Sequence, residues 1–260
     1  MNIEATIRLS IFIGVFALMA LWEMFAPRRV QGFSKPIRFA NNIGIMALNT
    51  VILRFAFPLG AGGVALYCQL HGIGLFNLVK APILLEFLLG LALLDLVIYF
   101  QHVAFHKFPL LWRLHQVHHC DPEFDVSTSG RFHVFEILLS MLIKIAAIAI
   151  IGPSALAVLV FEIVLNACAM FNHSNVRISP KIDALLRGFI VTPDMHRVHH
   201  SQIVPEQNSN FGFNIPWWDR LFKTYMAQPE LGHEGMKIGL DEVQTTRDLW
   251  IDKLLWRVFK

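Results

Sequence analysis

The chain has 260 residues, of which 55% are hydrophobic and only 16% are charged, and its mean hydropathy is +0.53. Soluble domains carry roughly 25% charged residues, so this composition excludes an ordinary soluble domain and indicates a membrane protein. The net charge of +3 includes no basic run beyond Arg28 and Arg29, which fits loops facing anionic lipid and argues against nucleic acid as a partner. The three cysteines, Cys68, Cys120 and Cys168, are too dispersed for a disulfide framework or a thiolate metal site.

Four or five stretches approach the roughly 20 apolar residues that a helix needs to cross a bilayer. The first runs from Leu9 to Ala26, and we predict a retained helix because it lacks a small-x-small cleavage site and further spans follow it. The second runs from Ile43 to Leu70 and the third from Ala81 to Phe100. The run from Val134 to Met170 is about twice the length of one span. Gly152-Pro153 near its middle predicts a break, and hence a helical hairpin.

The distribution of basic residues between these spans predicts their orientation. The loop between the first two spans carries Arg28, Arg29, Lys35 and Arg38, whereas the loop between the second and third carries only Lys80. The positive-inside rule therefore places the first loop in the cytoplasm, and the third span ends there too. Because a hairpin returns the chain to the side it left, histidines before and after the hairpin should meet on one face.

The hydrophilic segments, roughly residues 101 to 133 and 173 to 260, are too small and too separate to form independent domains. We predict that they form one cap, and that residues 1 to 260 form a single membrane-embedded domain. The predicted fold class is an all-α integral membrane protein with about four transmembrane helices and a cytosolic helical cap. The cap would carry a histidine-rich dinuclear metal site.

The C-terminal segment has the pattern of an amphipathic helix. Trp250, Leu254 and Val258 stand at helical spacing with basic residues around them. Such a helix would either lie in the membrane interface or pack on the cap, and the pattern alone favours neither.

Nine of the twelve histidines fall into four groups. On a helix, residues three and four apart share a face, so each H-x-x-H-H motif aims its imidazoles in one direction. Adjacent residues diverge by about 100°, which lets two neighbouring histidines serve two different ions. The groups are His102 and His106 in H-x-x-x-H, His115, His118 and His119 in H-x-x-H-H, His173 alone, and His196, His199 and His200 in a second H-x-x-H-H.

Nine imidazoles exceed the roughly six ligands that one first-row ion accepts, so two ions are implied, although imidazole suits iron, zinc, copper and nickel alike. Carboxylate-bridged di-iron bundles need a pair of E-x-x-H motifs, and this sequence has only one, Glu230 to His233. The sequence therefore argues against that class of di-iron protein. Neutral ligands leave the charge of the ions uncompensated, so nearby carboxylates should support the ligand rings. Asp95 and Asp194 are the candidates, and His133 is a further supporting residue or a tenth ligand.

With these histidine groups the chain resembles a known family, the fatty acid hydroxylase superfamily, also called the sterol desaturase family. The resemblance covers roughly residues 90 to 225, and three departures, Lys107, Val134 and Lys223, touch no proposed ligand. It rests on Asp95, His102, His106, Leu111-Trp112 before His115, Arg131-Phe132-His133, Asn172-His173-Ser174-Asn175, Thr192-Pro193-Asp194-Met195-His196-Arg197-Val198-His199-His200-Ser201, Asn210-Phe211-Gly212 and Trp218-Asp219-Arg220-Leu221-Phe222.

The resemblance implies a four-helix membrane fold under a cytosolic cap, in which the nine histidines bind two iron ions. It implies that the protein uses dioxygen to hydroxylate or desaturate a lipid; zinc can occupy such a site in isolated protein. Each turnover would need two electrons. The sequence carries no dinucleotide, haem-attachment or iron–sulfur motif, so an external donor of ferredoxin or cytochrome type is expected. We expect a multi-pass protein of the inner or plasma membrane whose active site faces the cytoplasm.

Three other kinds of protein use histidines in different ways. A zinc-dependent membrane hydrolase keeps one ligand position open and pairs the metal with a carboxylate base, which the high histidine count disfavours. A haem-binding cytochrome would carry single histidines at depth on separate helices, whereas these cluster just past the ends of the spans. A membrane protein that binds metal without catalysis is not excluded by spacing.

Overall fold

A computed structural model describes residues 3–79 and 82–259 of the chain. Ala81, the predicted start of the third span, and Lys80, the one basic residue of the predicted loop before it, lie outside the described residues. Within those residues the fold is helical, and its only β-structure is two isolated bridges. The α-helices are α1 (Ile3–Phe25), α2 (Lys35–Ala56), α3 (Gly60–Leu70), α4 (Leu75–Val79), α5 (Ile83–Lys107), α6 (Pro109–His119), α7 (Val134–Ile151), α8 (Ala155–Asn172), α9 (Pro180–Leu186), α10 (Pro193–His199), α11 (Val204–Gln207), α12 (Trp217–Leu221), α13 (Gly232–Gly235) and α14 (Ile251–Arg257).

Five helical stretches among the described residues are long and apolar enough to cross a membrane. They confirm the prediction of several apolar helices, although the expected number was about four. The second stretch combines α2, α3 and α4, and the last two are the arms of the predicted hairpin. The stretches are Ile3–Phe25, Lys35–Val79, Ile83–Lys107, Val134–Ile151 and Ala155–Asn172.

The hairpin turns where Gly152-Pro153 predicts it. Gly152 adopts a φ of +71°, which glycine reaches without steric cost, and its N–H donates to the carbonyl of Ile148 at 2.8 Å. Ser154 then begins α8, because its hydroxyl accepts the N–H of Ala157 at 3.2 Å. These end signals stop α7 and start α8 within three residues.

The predicted span from Ile43 to Leu70 is not one continuous helix. Pro58 has no N–H to donate, and a residue before proline is driven out of the α-helical region. Phe57 accordingly has φ −130° and ψ 72°, and α2 ends at Ala56. The chain resumes as α3 at Gly60, whose φ is +60°.

Four helices, α3, α5, α7 and α8, enclose the largest apolar core. Its residues are buried, whereas large apolar side chains such as Phe55, Leu84 and Ile150 remain exposed on the outer faces. Exposed apolar surface on this scale suits contact with lipid. The buried core consists of Ala61, Ala65, Leu94, Ile98, Ala147, Ile148, Val158 and Phe161.

The basic loop between α1 and α2 belongs to the end of the bundle that carries the cap. Pro27 and Val176 form a β-bridge, which ties the loop to the segment after α8. At the start of α2, Arg38 donates to Asp121 at 2.8 Å and to Asp125 at 2.7 Å, and all three side chains are fully buried. Its positive charge therefore holds the cap together and does not face lipid.

The C-terminal helix packs on the protein. Leu254 and Val258 are buried in a cluster with Ile45 of α2 and Val117 of α6, while Trp250 stays 45% exposed. Of the two arrangements that the amphipathic pattern allowed, the structure has the one in which α14 packs on the cap.

Candidate metal centre

Four segments at one end of the bundle carry the nine predicted histidines. The last two turns of α5 present His102 and His106, and α6 presents one H-x-x-H-H motif. His173 ends α8. The second H-x-x-H-H lies on α10, where Thr192 caps the helix by accepting the N–H of Met195 and Pro193 occupies the first turn. Histidines from before and after the hairpin thus meet on one side, as the parity of the spans predicts.

The nine rings form two groups, within each of which the ring nitrogens that face one another lie within 4.8 Å. The adjacent residues His118 and His119 fall in different groups, and so do His199 and His200. This is the separation expected from the divergence of neighbours on a helix. The first group is His102, His106, His115, His119 and His199, and the second group is His118, His173, His196 and His200.

Hydrogen bonds on the outer side of the clusters fix the tautomer of five rings. In each, Nδ1 lies at hydrogen-bond distance from a carbonyl or carboxylate oxygen, which only accepts, so Nδ1 carries the proton. A neutral ring then directs the lone pair of Nε2 into its cluster. The Nδ1 donors and their acceptors are His102 to Phe211 O (2.8 Å), His115 to Glu136 Oε1 (2.6 Å), His118 to Arg131 O (3.2 Å), His173 to Ala169 O (2.8 Å) and His199 to Ser209 O (2.8 Å).

The rings of the second group are neutral at physiological pH. Burial lowers the pKa of His173 to about 4, despite the hydrogen bond from its Nδ1 to Ala169. Burial, reinforced by the neighbouring rings, also holds the pKa of His118, His196 and His200 well below the ordinary value.

Lone pairs converge in this group at hydrogen-bond distance. Nε2 of His173 lies 3.0 Å from Nε2 of His118 and 3.1 Å from Nε2 of His196. Because His118 and His173 both carry their proton on Nδ1, no hydrogen lies between their Nε2 atoms, and the two lone pairs repel each other. A bound cation removes this repulsion, so the donor set fits a metal ion.

The first group also fits a metal ion, because its ring nitrogens have no hydrogen-bond partner. Within the described residues, the Nε2 atoms of all five rings are buried without a hydrogen-bond partner. A buried polar nitrogen costs free energy unless something satisfies it, and metal coordination does so. Imidazole nitrogen serves iron, zinc, copper and nickel, so these atoms fit a transition metal without selecting one.

The three predicted supporting residues have hydrogen-bond partners other than the nine rings. Asp95 accepts the indole N–H of Trp218 at 2.8 Å. Asp194 accepts from Arg28 and Arg197. His133 begins α7, where its Nδ1 accepts the N–H of Phe135 at 3.2 Å and its Nε2 donates to the carbonyl of Leu255. Among the described contacts, none of the three hydrogen-bonds to one of the nine rings.

The negative charge of Asp194 instead forms ion pairs with Arg28 of the basic loop and Arg197 of α10. Burial alone would raise its pKa, but Arg197, His233 and Arg28 hold the pKa of this carboxyl below its ordinary value. Arg197 is fully buried and its guanidinium also stacks 5.1 Å above the ring of Phe124. This cluster joins the basic loop to α10.

Sequence reasoning missed Glu136, which accepts the Nδ1 proton of His115 and is 3% exposed. A carboxylate in this position makes the ring a more basic ligand and fixes its orientation. Glu136 lies in the first turn of α7, 21 residues after its partner. No spacing rule links the two, so the sequence carries no signal for this contact.

A cavity of about 780 Å³ leads away from the first group into the apolar helices. His102 and His115 lie at one end, and the walls are largely apolar, including Phe105, Met141 and Phe213. This volume is in the range of sites that bind small organic ligands. Its lining suits a hydrocarbon chain.

A bundle of apolar helices that ends in two clusters of imidazoles defines a membrane protein class with a histidine-rich site suited to metals. Within that class, the sequence model for fatty acid hydroxylase matches residues 87–224, which is just over half of the chain. The chain therefore belongs to the fatty acid hydroxylase family. No solved structure gives a match.

Similar curated proteins include lipid hydroxylases and monooxygenases. The ornithine lipid hydroxylase of Rhizobium tropici is 30% identical over 57% of this chain and 44% of its own length. The human alkylglycerol monooxygenase is 29% identical over 52% of this chain and 29% of its own length. The rat cholesterol 25-hydroxylase is 28% identical over 57% of this chain and 49% of its own length. The matches thus span less than half of each of these relatives.

Proposed function

We propose that this protein is a membrane di-iron oxygenase that hydroxylates a lipid with dioxygen. The observation that carries the proposal is the pair of histidine clusters whose ring nitrogens face one another, the first of which reaches an apolar cavity through His102 and His115. The relatives named above are hydroxylases and monooxygenases, which favours hydroxylation over desaturation.

Each histidine group would hold one iron ion. His102, His106, His115, His119 and His199 would bind the first ion, and His118, His173, His196 and His200 the second. When bound, iron supplies the activation of dioxygen that attack on an unactivated C–H bond requires. Glu136 and four backbone carbonyls hold five of the nine ligand rings in the tautomer that binds metal.

The protein also excludes water from the reacting groups. Eight of the nine rings are at most 4% exposed. Phe211 lies against His102, His106 and His199, with ring centroids 5.2–5.6 Å apart. A dry, rigid shell prevents side reactions and keeps each ring in place for the chemical step.

The substrate we infer is a lipid with a long apolar part that lies in the cavity. The described cavity opens among helices apolar enough to span a membrane, so a lipid can reach it without leaving an apolar environment. We propose that the cap faces the cytoplasm at the inner or plasma membrane. A separate ferredoxin or cytochrome would there supply the two electrons of each turnover.

The test is incorporation of labelled oxygen into lipid. Membranes that contain the protein, an electron donor and ¹⁸O₂ should yield lipids heavier by one ¹⁸O atom, measured by mass spectrometry. His119→Ala should abolish the product, whereas the matched control His71→Ala should retain it, because His71 is exposed and stacks on Tyr67. A product that carries oxygen from water, or unchanged product in His119→Ala, would refute the proposal.

A further inference from the structure

Three charged residues line the cavity within the apolar helices, away from the histidines. They are Arg8 of α1, Lys144 of α7 and Glu162 of α8. Glu162 accepts from Arg8 at 2.7 Å with one oxygen and from Lys144 at 2.8 Å with the other. Charges inside a membrane are costly and are usually retained for a function.

Lys144 and Glu162 lie near the middle of α7 and α8. Glu162 precedes His173 by eleven residues of α8, or roughly 16 Å at 1.5 Å per residue. Lys144 follows His133 by the same number of residues along α7. The hairpin at Gly152 lies about 15 Å from Glu162 in the opposite direction. Lys144 and Glu162 are therefore each at least about two helical turns from both the cap and the hairpin, whereas the side chain of Arg8 is 28% exposed.

Ion pairing inside the protein leaves the cluster with spare donors. Glu162 takes one of the three N–H donors of Lys144 and one of the five of Arg8. Glu4 takes one more from Arg8, but its side chain is 48% exposed and lies outside the cavity lining. The cavity face of the cluster therefore has two cations and one carboxylate.

Apolar side chains lie between Glu162 and His173 along α8. Leu165 and Met170 are two of them that line the cavity, and among the described residues no lysine or arginine other than Arg8 and Lys144 lines it. A lipid with one anionic group and a hydrocarbon chain matches this arrangement of charge and apolar surface.

We propose that Arg8 and Lys144 bind an anionic oxygen group, a carboxylate or a phosphate, of the lipid in this cavity. Glu162 is a positioning residue that holds the two cations side by side. Bound in this way, the anionic group sets how far the hydrocarbon chain extends toward the histidines. The inference rests on the proposed function, since it takes the cavity to be the substrate site.

The test compares ligands with the same chain and different terminal groups. Purified full-length protein in detergent is titrated with stearic acid, stearyl phosphate, stearyl alcohol and octadecane, measured by displacement of radiolabelled stearic acid. The parent should bind an anionic probe at least about tenfold more tightly than stearyl alcohol, because hydrogen bonds to charged groups are strong. Preference for the phosphate over the acid would identify a phospholipid head group as the source, and the reverse a carboxylate.

Variants assign the preference to the cluster. Lys144→Met should remove most of the preference for the anion and leave binding of stearyl alcohol unchanged, and Lys144→Arg should retain the preference. Glu162→Gln should weaken it. The matched control Glu86→Gln removes another buried intramembrane carboxylate, which accepts the N–H of Ser154 and does not line this cavity, and should keep the preference.

The outcomes separate this inference from the proposed function. Equal binding of stearic acid and stearyl alcohol by the parent would overturn the inference, even where a variant fails to fold. Lys144→Met with an unchanged preference, metal content and unfolding temperature would also overturn it. Because binding needs no oxidation, a clear anion preference without any ¹⁸O-labelled product would refute only the proposed oxygenase activity.

Discussion

Asp219 reaches the histidine site through one backbone segment. Its carboxylate accepts the N–H of Phe211 at 2.7 Å and that of Gly212 at 2.9 Å. The carbonyl of Phe211 in turn accepts the Nδ1 proton of His102 at 2.8 Å. The carboxylate therefore fixes the peptide that fixes the ring, an indirect support of the kind that metal sites use.

Asp219→Asn should weaken metal binding while the fold persists. An amide offers only one oxygen, so its NH₂ group must face one of the two backbone N–H donors. We expect a loss of about 10- to 100-fold in metal affinity, measured by competition with a chelator. Asp194→Asn is the matched control, since Asp194 accepts hydrogen bonds from arginines and from none of the nine rings. This variant should lower the unfolding temperature and leave the metal affinity nearly unchanged. Equal losses of metal affinity in both variants would contradict this assignment.

The pH dependence of stability offers a second test of Asp219. Burial raises the pKa of this carboxyl to about 6, although hydrogen bonds from Thr224, Gly212 and Phe211 oppose the shift. The pKa is near 4 in an unfolded chain, so ionisation between about pH 4 and pH 6 favours the unfolded state. The unfolding temperature of the parent, relative to Asp219→Asn, should fall across this window and stay constant above it. If the unfolding temperature of the parent instead rose across this window relative to Asp219→Asn, folding would lower the pKa of Asp219, which contradicts this prediction.

The sequence reveals much of the site, but only where spacing carries the signal. H-x-x-H-H on a helix predicts a shared face, and the nine histidines do come together. The contacts of Glu136 with His115 and of Asp219 with Phe211 depend on how α7 and α12 pack against the site. A charged residue such as Asp194, two positions from His196, is near in sequence yet directed elsewhere.

At the scale of elements, the turn at Gly152 is the most constrained point in the hairpin. A Cβ on Gly152 would lie 2.9 Å from the side-chain nitrogen Nδ2 of Asn77 and 2.9 Å from the backbone carbonyl carbon of Gly74. Gly152→Ala should therefore destabilise the protein by about 1–3 kcal/mol, because both the positive φ and the close contacts oppose it. The measurement is thermal unfolding in detergent.

Gly14→Ala in α1 provides the control for this substitution. No atom lies within 4 Å of the added Cβ, so the variant should gain up to about 1 kcal/mol from helix propensity. Similar unfolding temperatures for the two variants would contradict the role of the turn.

Hydropathy and end signals differ in what they reveal about the elements. Gly152-Pro153 divides a run twice the length of one span, so length and residue type agree on a hairpin. Pro58 carries an equally valid break signal, but the hydropathy continues through it and conceals the end of α2. For α14 the amphipathic pattern is the same on a lipid interface and on a protein surface, so only packing against Ile45 and Val117 distinguishes them.

At the scale of the whole molecule, the hairpin requires α6 and α10 to lie on the same side of the membrane. Reporter domains fused after Lys107 and after Ser201 should therefore both report the cytoplasm, where the basic loop before α2 is also expected. Protease protection or reporter activity in intact cells measures this. Reporters on opposite sides would contradict a shared site.

The cavity and its charged residues were beyond sequence reasoning. The three charges lie on different helices, with Arg8 on α1, Lys144 on α7 and Glu162 on α8. In the sequence, each is a single charged residue within an apolar run. Their proximity depends on how α1, α7 and α8 pack, which no local pattern specifies. Burial of several rings at neutral charge likewise follows from the packing of the cap.

The central claim is that nine histidines form two separate metal sites, and metal content per chain tests it most directly. Purified protein should contain close to two transition-metal ions, counted together whether iron or zinc, because zinc binds such ligands more tightly than ferrous iron. His119→Ala should lose the ion of the first group, His200→Ala that of the second, and His71→Ala should keep both. A parent that binds a single ion per chain, or variants that retain two, would contradict the account.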